Sequence, residues 1–227
     1  MKTRISILVA MSCLALSGMA QNEKLTEYVR PLVGTDGFGN VYPGAQIPFG
    51  GIQISPDTDD KYYDAAAGYK YNHTSIQGFS LTHLSGTGIP DLGDFLFIPG
   101  TGEMKLEPGS RENPDEGYRS RYTHDKEWAS PNYYAVQLLD YGVKAEMTSG
   151  LRSGMLRFTY PKSDKSFIMI DMDHTLWQKC EWANLRVEND STLTGYKLVK
   201  GWGPERHIYF TAVFSKKLDG LRIMQDK

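Results

Sequence analysis

The sequence predicts an all-β protein, a large antiparallel β-sandwich, with a barrel as the related alternative. Three observations carry that prediction. Nine short runs rich in β-branched and aromatic residues recur along the chain, bounded by Gly, Pro, Asn and Asp. Helical periodicity is almost absent, with only 24–29 reading as a short helix. Two tight-turn signals, Asp140-Tyr141-Gly142 and the stretch 150–154, separate three consecutive runs and predict a meander.

In chain order the runs are GGIQIS (50–55), IQGFSLT (76–82), DFLFIP (94–99), NYYAVQLL (132–139) and GVKAEMTSG (142–150). GMLRFTYP (154–161), SFIMIDMD (166–173), TLTGYKLV (192–199) and HIYFTAVFS (207–215) follow. So many short strands at this spacing fit a single sandwich-like domain spanning 21–227. The polar stretch 108–132 reads as a long surface connection. The last residues enter another strand-like run without a turn or polar tail, so a sheet left incomplete at its C-terminal end is expected.

Residues 1–20 stand apart. Lys2 and Arg4 precede an apolar stretch from Ile5 to Leu16, and Ser17-Gly18-Met19-Ala20 ends in small residues. This is the pattern of a cleavable signal peptide, too short and too weakly flanked for a membrane span. Cleavage after Ala20 leaves a chain starting at Gln21, secreted or periplasmic. A lipoprotein signal at Cys13 fits poorly, because Ala10-Met11-Ser12 is not a good lipobox.

The chain carries 25 Lys and Arg against 27 Asp and Glu, and removing Lys2 and Arg4 leaves 23 basic residues. That mildly acidic balance, with no basic run, argues against nucleic acid as a partner. No later apolar segment approaches bilayer length. With Cys13 in the signal, Cys180 remains alone, so stability must come from a core rather than an intrachain disulfide. Cys180 reads as a packed thiol near Trp177 and Trp182.

The familiar motifs are weak. GTDGFG and GTGIPDLG do not open a helix after a strand, so phosphate cradling is not indicated. DTDD (57–60) lacks the sixth-position Gly and twelfth-position Glu of a calcium loop and reads as a solvated turn. Histidines at 73, 83, 124, 174 and 207 show no metal-ligand spacing, so no metal site is assigned to this chain. Asn72-His73-Thr74 and Asn189-Asp190-Ser191 match the glycosylation pattern, which is common by chance.

Three glycine-rich polar loops remain: GTDGFGNVYPGA (34–45), YYDAAAGYKY (62–71) and HLSGTGIPDLGD (83–94). Together they supply Asp, Asn, His, Ser, Thr and aromatic rings. That mixture suits a sugar, whose hydroxyls take polar partners and whose C–H face takes an aromatic ring. It is also what turns with capped backbones require, and from composition alone that is the better reading, with the sugar reading left open.

VGTDGFGNVYPGAQIPFGGIQISPDT, GYKYNHTSIQGFSLTHLSGTGIPDLGDFLFIPG and GWGPERHIYFTAVFSK resemble the N-terminal domain of glycoside hydrolase family 92, over almost the whole chain after the signal. The resemblance implies a secreted exo-acting α-mannosidase with two domains, this sandwich packing on an (α/α)₆ barrel. It also implies inversion at the anomeric centre, a calcium requirement, terminal α-mannosides (α-1,2-linked ones foremost) as substrates, and a mannose-containing glycan as partner. The general acid, general base and calcium ligands then belong mainly to the barrel, and no catalytic residue lies in this chain. Asp91 and Asp94, three residues apart, tempt as the carboxylate pair of a glycosidase; under the resemblance they order the loop or touch sugar instead.

Carried over by motif, the cleft wall comprises Phe38, Asn40, Asp64, Tyr69, His83, Ser85, Gly86, Thr87 and Asp91. Asn40 replaces a His of the family pattern, and Tyr62-Tyr63 stands near a family Trp, which leaves linkage preference open. GWGPERHIYF reads as structural, with Trp202 plugging a sandwich edge. Two alternatives remain: a free-standing lectin-like sandwich, and a mutarotase-like epimerase, for which His83 with Asp91 is the available pair.

Overall fold

A computed structural model describes residues 24–61 and 63–224; the signal segment and Cys13 lie outside them. The chain divides into two compact units, Met1–Arg30 and Pro31–Lys227. In the first, the described residues hold one 3₁₀ turn, Leu25–Tyr28, where a short helix was expected. The second is β-structure with further 3₁₀ turns, and no α-helix occurs among the described residues. No helix among them is long and apolar enough to cross a membrane.

The described residues form thirteen strands: β1 (Ser55–Asp57), β2 (Ser75–Ile76), β3 (Gly78–Ser80), β4 (Leu96–Thr101), β5 (Ser120–Arg121), β6 (Glu127–Ser130) and β7 (Tyr133–Leu138). They continue as β8 (Val143–Ser149), β9 (Gly154–Thr159), β10 (Ser166–Asp171), β11 (Lys179–Asn189), β12 (Thr192–Lys200) and β13 (Arg206–Val213). All pairings are antiparallel, in sheets ordered β1-β3-β4-β10, β6-β7-β8-β9, β11-β12-β13 and β2-β5.

The predicted meander is β7-β8-β9. Gly142, at φ +65, turns the first corner, and Gly150 N–H donating to Ser153 O (2.7 Å) closes the second. Alternation along these strands decides what is buried. Tyr134, Val136 and Leu138 of β7 and Val143, Ala145 and Met147 of β8 point inward, and Ile54, Ile76, Phe79 and Tyr122 share their core. That is sheet against sheet, the sandwich arrangement. Phe210 of β13 packs on Phe95 and Phe97 (ring centroids 4.4 and 6.3 Å), which ties the third sheet to β4.

Three expectations need correction. Stretch 108–132 is not a surface excursion: it contains β5 and β6, and Tyr118, Arg119, Ser120, Tyr122 and Glu127 are buried. Its polar groups find partners inside, Arg119 donating to Ser75 Oγ (3.0 Å) and Thr58 O (3.2 Å). DTDD is not a solvated turn, since Asp57, Thr58 and Asp59 are buried. KCEWANLRVEN, absent from the predicted strands, forms β11, whose charged residues lie on exposed positions.

Candidate functional site

The three polar loops meet on one face of the sandwich. Gly86 N–H donates to Asn40 O (2.7 Å) and Tyr71 N–H to Thr35 O (3.0 Å), joining loop 34–45 to the other two. Gly68, at φ +84, is the hinge of the middle loop; a Cβ there would stand 2.2 Å from Asp57 Oδ1 and 3.2 Å from His83 Cδ2. The close approach therefore requires glycine.

Beneath the loops lies a buried charge relay. Asp57 Oδ1 meets His83 Nε2 at 2.7 Å and Oδ2 meets His174 Nε2 at 2.8 Å, with all three side chains almost sealed from solvent. The second ring nitrogen of His83 bonds Gln53 O (2.7 Å), which fixes the ring at both ends. Burial pushes the Asp57 carboxyl up, but the two imidazoles outweigh it and hold it well below the usual carboxylate range. Burial pushes His174 down, yet the Asp57 hydrogen bond and charge, with Asp60 and Asp171 nearby, raise it above its ordinary value.

A second relay holds the other end of loop 81–95. Asp94, fully buried, accepts from Thr82 Oγ1 (2.7 Å) and Arg206 Nη1, with Lys197 Nζ 3.2 Å away. Burial raises its carboxyl, and Lys197 and Arg206 more than reverse that. Asp91 accepts from Leu92 N–H (2.6 Å) and Trp202 N–H (3.2 Å), and Arg206 Nη2 approaches it at 3.5 Å. A Cβ on Gly201 would come within 2.9 Å of Asp91, so the β12–β13 hairpin reaches this carboxylate because that position is bare. GWGPERHIYF thus fastens the loop to the third sheet, whereas Trp202 itself is 57% exposed rather than plugging an edge. Asp91 and Asp94 are engaged as loop anchors.

The nine candidate residues separate by depth. Phe38 (99% exposed), Ser85, Gly86 and Asp64 stand out on the face, with Asn40 and Thr87 half-buried beside them. Tyr69 lies in the core, its hydroxyl donating to Glu127 Oε1 (2.9 Å). His83 and Asp91 are buried with their polar atoms held by protein partners. The polar atoms of these three are thus engaged by the protein itself.

Tyr63, which the sequence places in the middle polar loop near a family Trp, meets Trp177, which the sequence offers only as a neighbour of Cys180; both are exposed and their rings meet edge to face at 6.0 Å. The turn that carries Trp177 reaches loop 83–94 through contacts 84 and 88 positions away, a neighbour relation invisible in local pattern: Leu176 N–H donates to Leu92 O (2.9 Å) and Gln178 Nε2 to Pro90 O (2.8 Å). Cys180 is half-buried, its thiol near Trp182 O and pushed up to about 11 by burial, which makes a poor nucleophile. Among the described residues no group of three or more His, Cys, Asp and Glu is placed to hold a metal ion.

An all-β sandwich carrying a braced, polar and aromatic loop face at one end is the type of module that presents one wall of a larger site. The chain belongs to glycosyl hydrolase family 92: the model of the family's N-terminal domain matches residues 28–227. A family 92 α-mannosidase of Bacteroides thetaiotaomicron, solved in complex with mannoimidazole, is 83% identical with a TM-score of 0.89, over 90% of this chain and 27% of that one. A family 92 inverting mannosidase of the same organism shares the fold at a TM-score of 0.67 and 23% identity, over 84% of this chain and 25% of that one. An uncharacterized secreted glycosidase of Arthroderma benhamiae is 30% identical over 138 residues, 60% of this chain and 17% of its own length. The chain thus spans about a quarter or less of the length of these relatives.

Proposed function

We propose that this chain is the N-terminal sandwich of an inverting, calcium-dependent exo-α-mannosidase, secreted or periplasmic. In this reading it contributes sugar contacts and a packing surface while the chemistry resides elsewhere in the full-length protein. The observation that carries the reading is 83% identity to an α-mannosidase over nine-tenths of this chain, whose loops 34–45 and 83–94 meet through Gly86 N–H and Asn40 O and leave Phe38, Ser85 and Gly86 exposed. Exposed rings and small polar groups are what a pyranose requires of a wall.

Four acids of this chain are already engaged by protein partners. Asp57, Asp91 and Asp94 are occupied by His83, His174, Lys197 and Arg206, and Asp59 pairs with Arg111 (2.8 Å). An inverting pair must stand about 6.5–9.5 Å apart with room for water between. The reading assigns the calcium ligands mainly to the remainder of the enzyme.

The full-length protein is expected to release mannose from α-1,2-mannobiose, first as the β-anomer by NMR, and to lose that activity on chelation of calcium. Residues 21–227 alone are expected to release none. Turnover by the isolated chain, or none by the full-length protein on any α-mannoside, would overturn the reading.

A further inference from the structure

Trp177 combines two unfavourable features on the loop face. Its φ is +66, a left-handed conformation that strains a bulky residue, and the residue is 57% exposed. Phe95 also has positive φ, but it is buried against Phe210, so core packing offsets its strain. Trp177 has no comparable burial.

The surrounding turn forces the conformation. Thr175 Oγ1 donates to Gln178 O (2.6 Å) and accepts from Gln178 N–H (3.2 Å), closing the turn across Trp177. Leu176, 1% exposed, is bonded to Leu92 and packed so closely on Gly93 that a Cβ there would meet Leu176 Cγ at 2.6 Å. Gln178 is bonded to Pro90. With both neighbours fixed, the indole has one direction left, outward.

It projects to a junction of three loops. Tyr63, 54% exposed, meets it at an interplanar angle of 89°, and the Tyr63 hydroxyl lies 3.8 Å from the position a Cβ would take on Gly88. The chain flanking these contacts is mostly small and polar, Asp64 beside Tyr63 and Ser85, Gly86 and Thr87 before Gly88, with Ile89 (45% exposed) following it. Isolated rings among hydroxyl and carboxylate groups match a sugar, which presents C–H and O–H surfaces alternately, better than an apolar protein surface.

We propose that Trp177 is a substrate-contacting, specificity-determining residue whose indole, set by Tyr63, covers the C–H face of a pyranose ring of the bound glycan. The proposal rests on the mannosidase reading. In the full-length enzyme, Trp177→Ala raises KM for α-1,2-mannobiose about tenfold or more, with kcat little changed, and Trp177→Phe restores most of the loss. Trp177→Gly raises KM to the same extent yet increases the unfolding temperature, because glycine takes positive φ freely. A purely structural tryptophan would lower both affinity and stability together. Unchanged KM in Trp177→Ala overturns the inference, as does a fall in unfolding temperature for Trp177→Gly. Absence of any wild-type turnover on α-mannosides defeats the underlying reading instead, so the two failures are distinguishable.

Discussion

The meander and the loop face are stabilised by different physics. Between β7 and β8 the buried side chains are mainly hydrocarbon, Val136, Leu138, Val143, Ala145 and Met147, and the sheets hold because that surface leaves water. Under the loops the buried groups are charged: Asp57 between two histidines, and Asp94 between Lys197 and Arg206. Apolar packing tolerates small shifts and has no preferred direction. A buried ion set fixes distance and angle, and it fails abruptly if one member is lost. A face whose loops contain several glycines at positive φ gains its definition from the second kind of interaction.

Removing one partner should expose the contrast most strongly. Asp57→Ala leaves His83 and His174 buried without their acceptor and is expected to cost about 3–5 kcal/mol in denaturant unfolding. Wild-type stability in that variant would mean the relay does not hold the loops. Leu138→Ala in the meander should cost about 2–5 kcal/mol through the cavity it opens, and by the same amount at every pH from about 5 to 9. Arg206→Met, which frees Asp91 and Asp94 at a site 23% exposed, should cost about 1–3 kcal/mol and admit protease to residues 84–89 first; uniform cleavage elsewhere would count against the lock.

The gentlest probe is pH. The raised value of His174 means its stabilisation is complete below about pH 6.5, the ordinary unfolded value, and disappears as pH rises through the folded one. The lowered value of Asp57 gives stabilisation above about pH 4 that disappears as acid passes through its folded value. Unfolding midpoints should therefore decline on the alkaline side. Asp57→Asn should flatten that decline and Leu138→Ala should keep it, so equal slopes in both variants would erase the distinction between the two regions.

Much of this architecture could be read from local pattern. The runs that became β12 and β13 alternate cleanly, because one face of each is better covered than the other, while β7 and β8 add buried residues on both faces at Tyr134–Val136 and Ala145–Met147. β11 was hidden because Lys179, Glu181, Arg186 and Glu188 dilute its alternation. Asp57 looked like part of a solvated turn because its partners are 26 and 117 residues distant. The polar loops announced themselves through glycine and hydroxyl content, but the depth of each residue did not. Tyr69, His83 and Asp91 carry the same side-chain chemistry whether they touch a ligand or a neighbouring strand, and long-range packing alone decides which.

The two relays also restrict how the loop can be transplanted. Residues 83–94 take their shape from Asp57 and Gly68 upstream and from His174, Lys197, Gly201 and Arg206 downstream. Copying the twelve-residue segment into another sandwich would transfer its letters without its geometry. A chimera that exchanges this loop between relatives must move these six positions together with it, which makes the exchangeable unit a dispersed constellation rather than a continuous peptide.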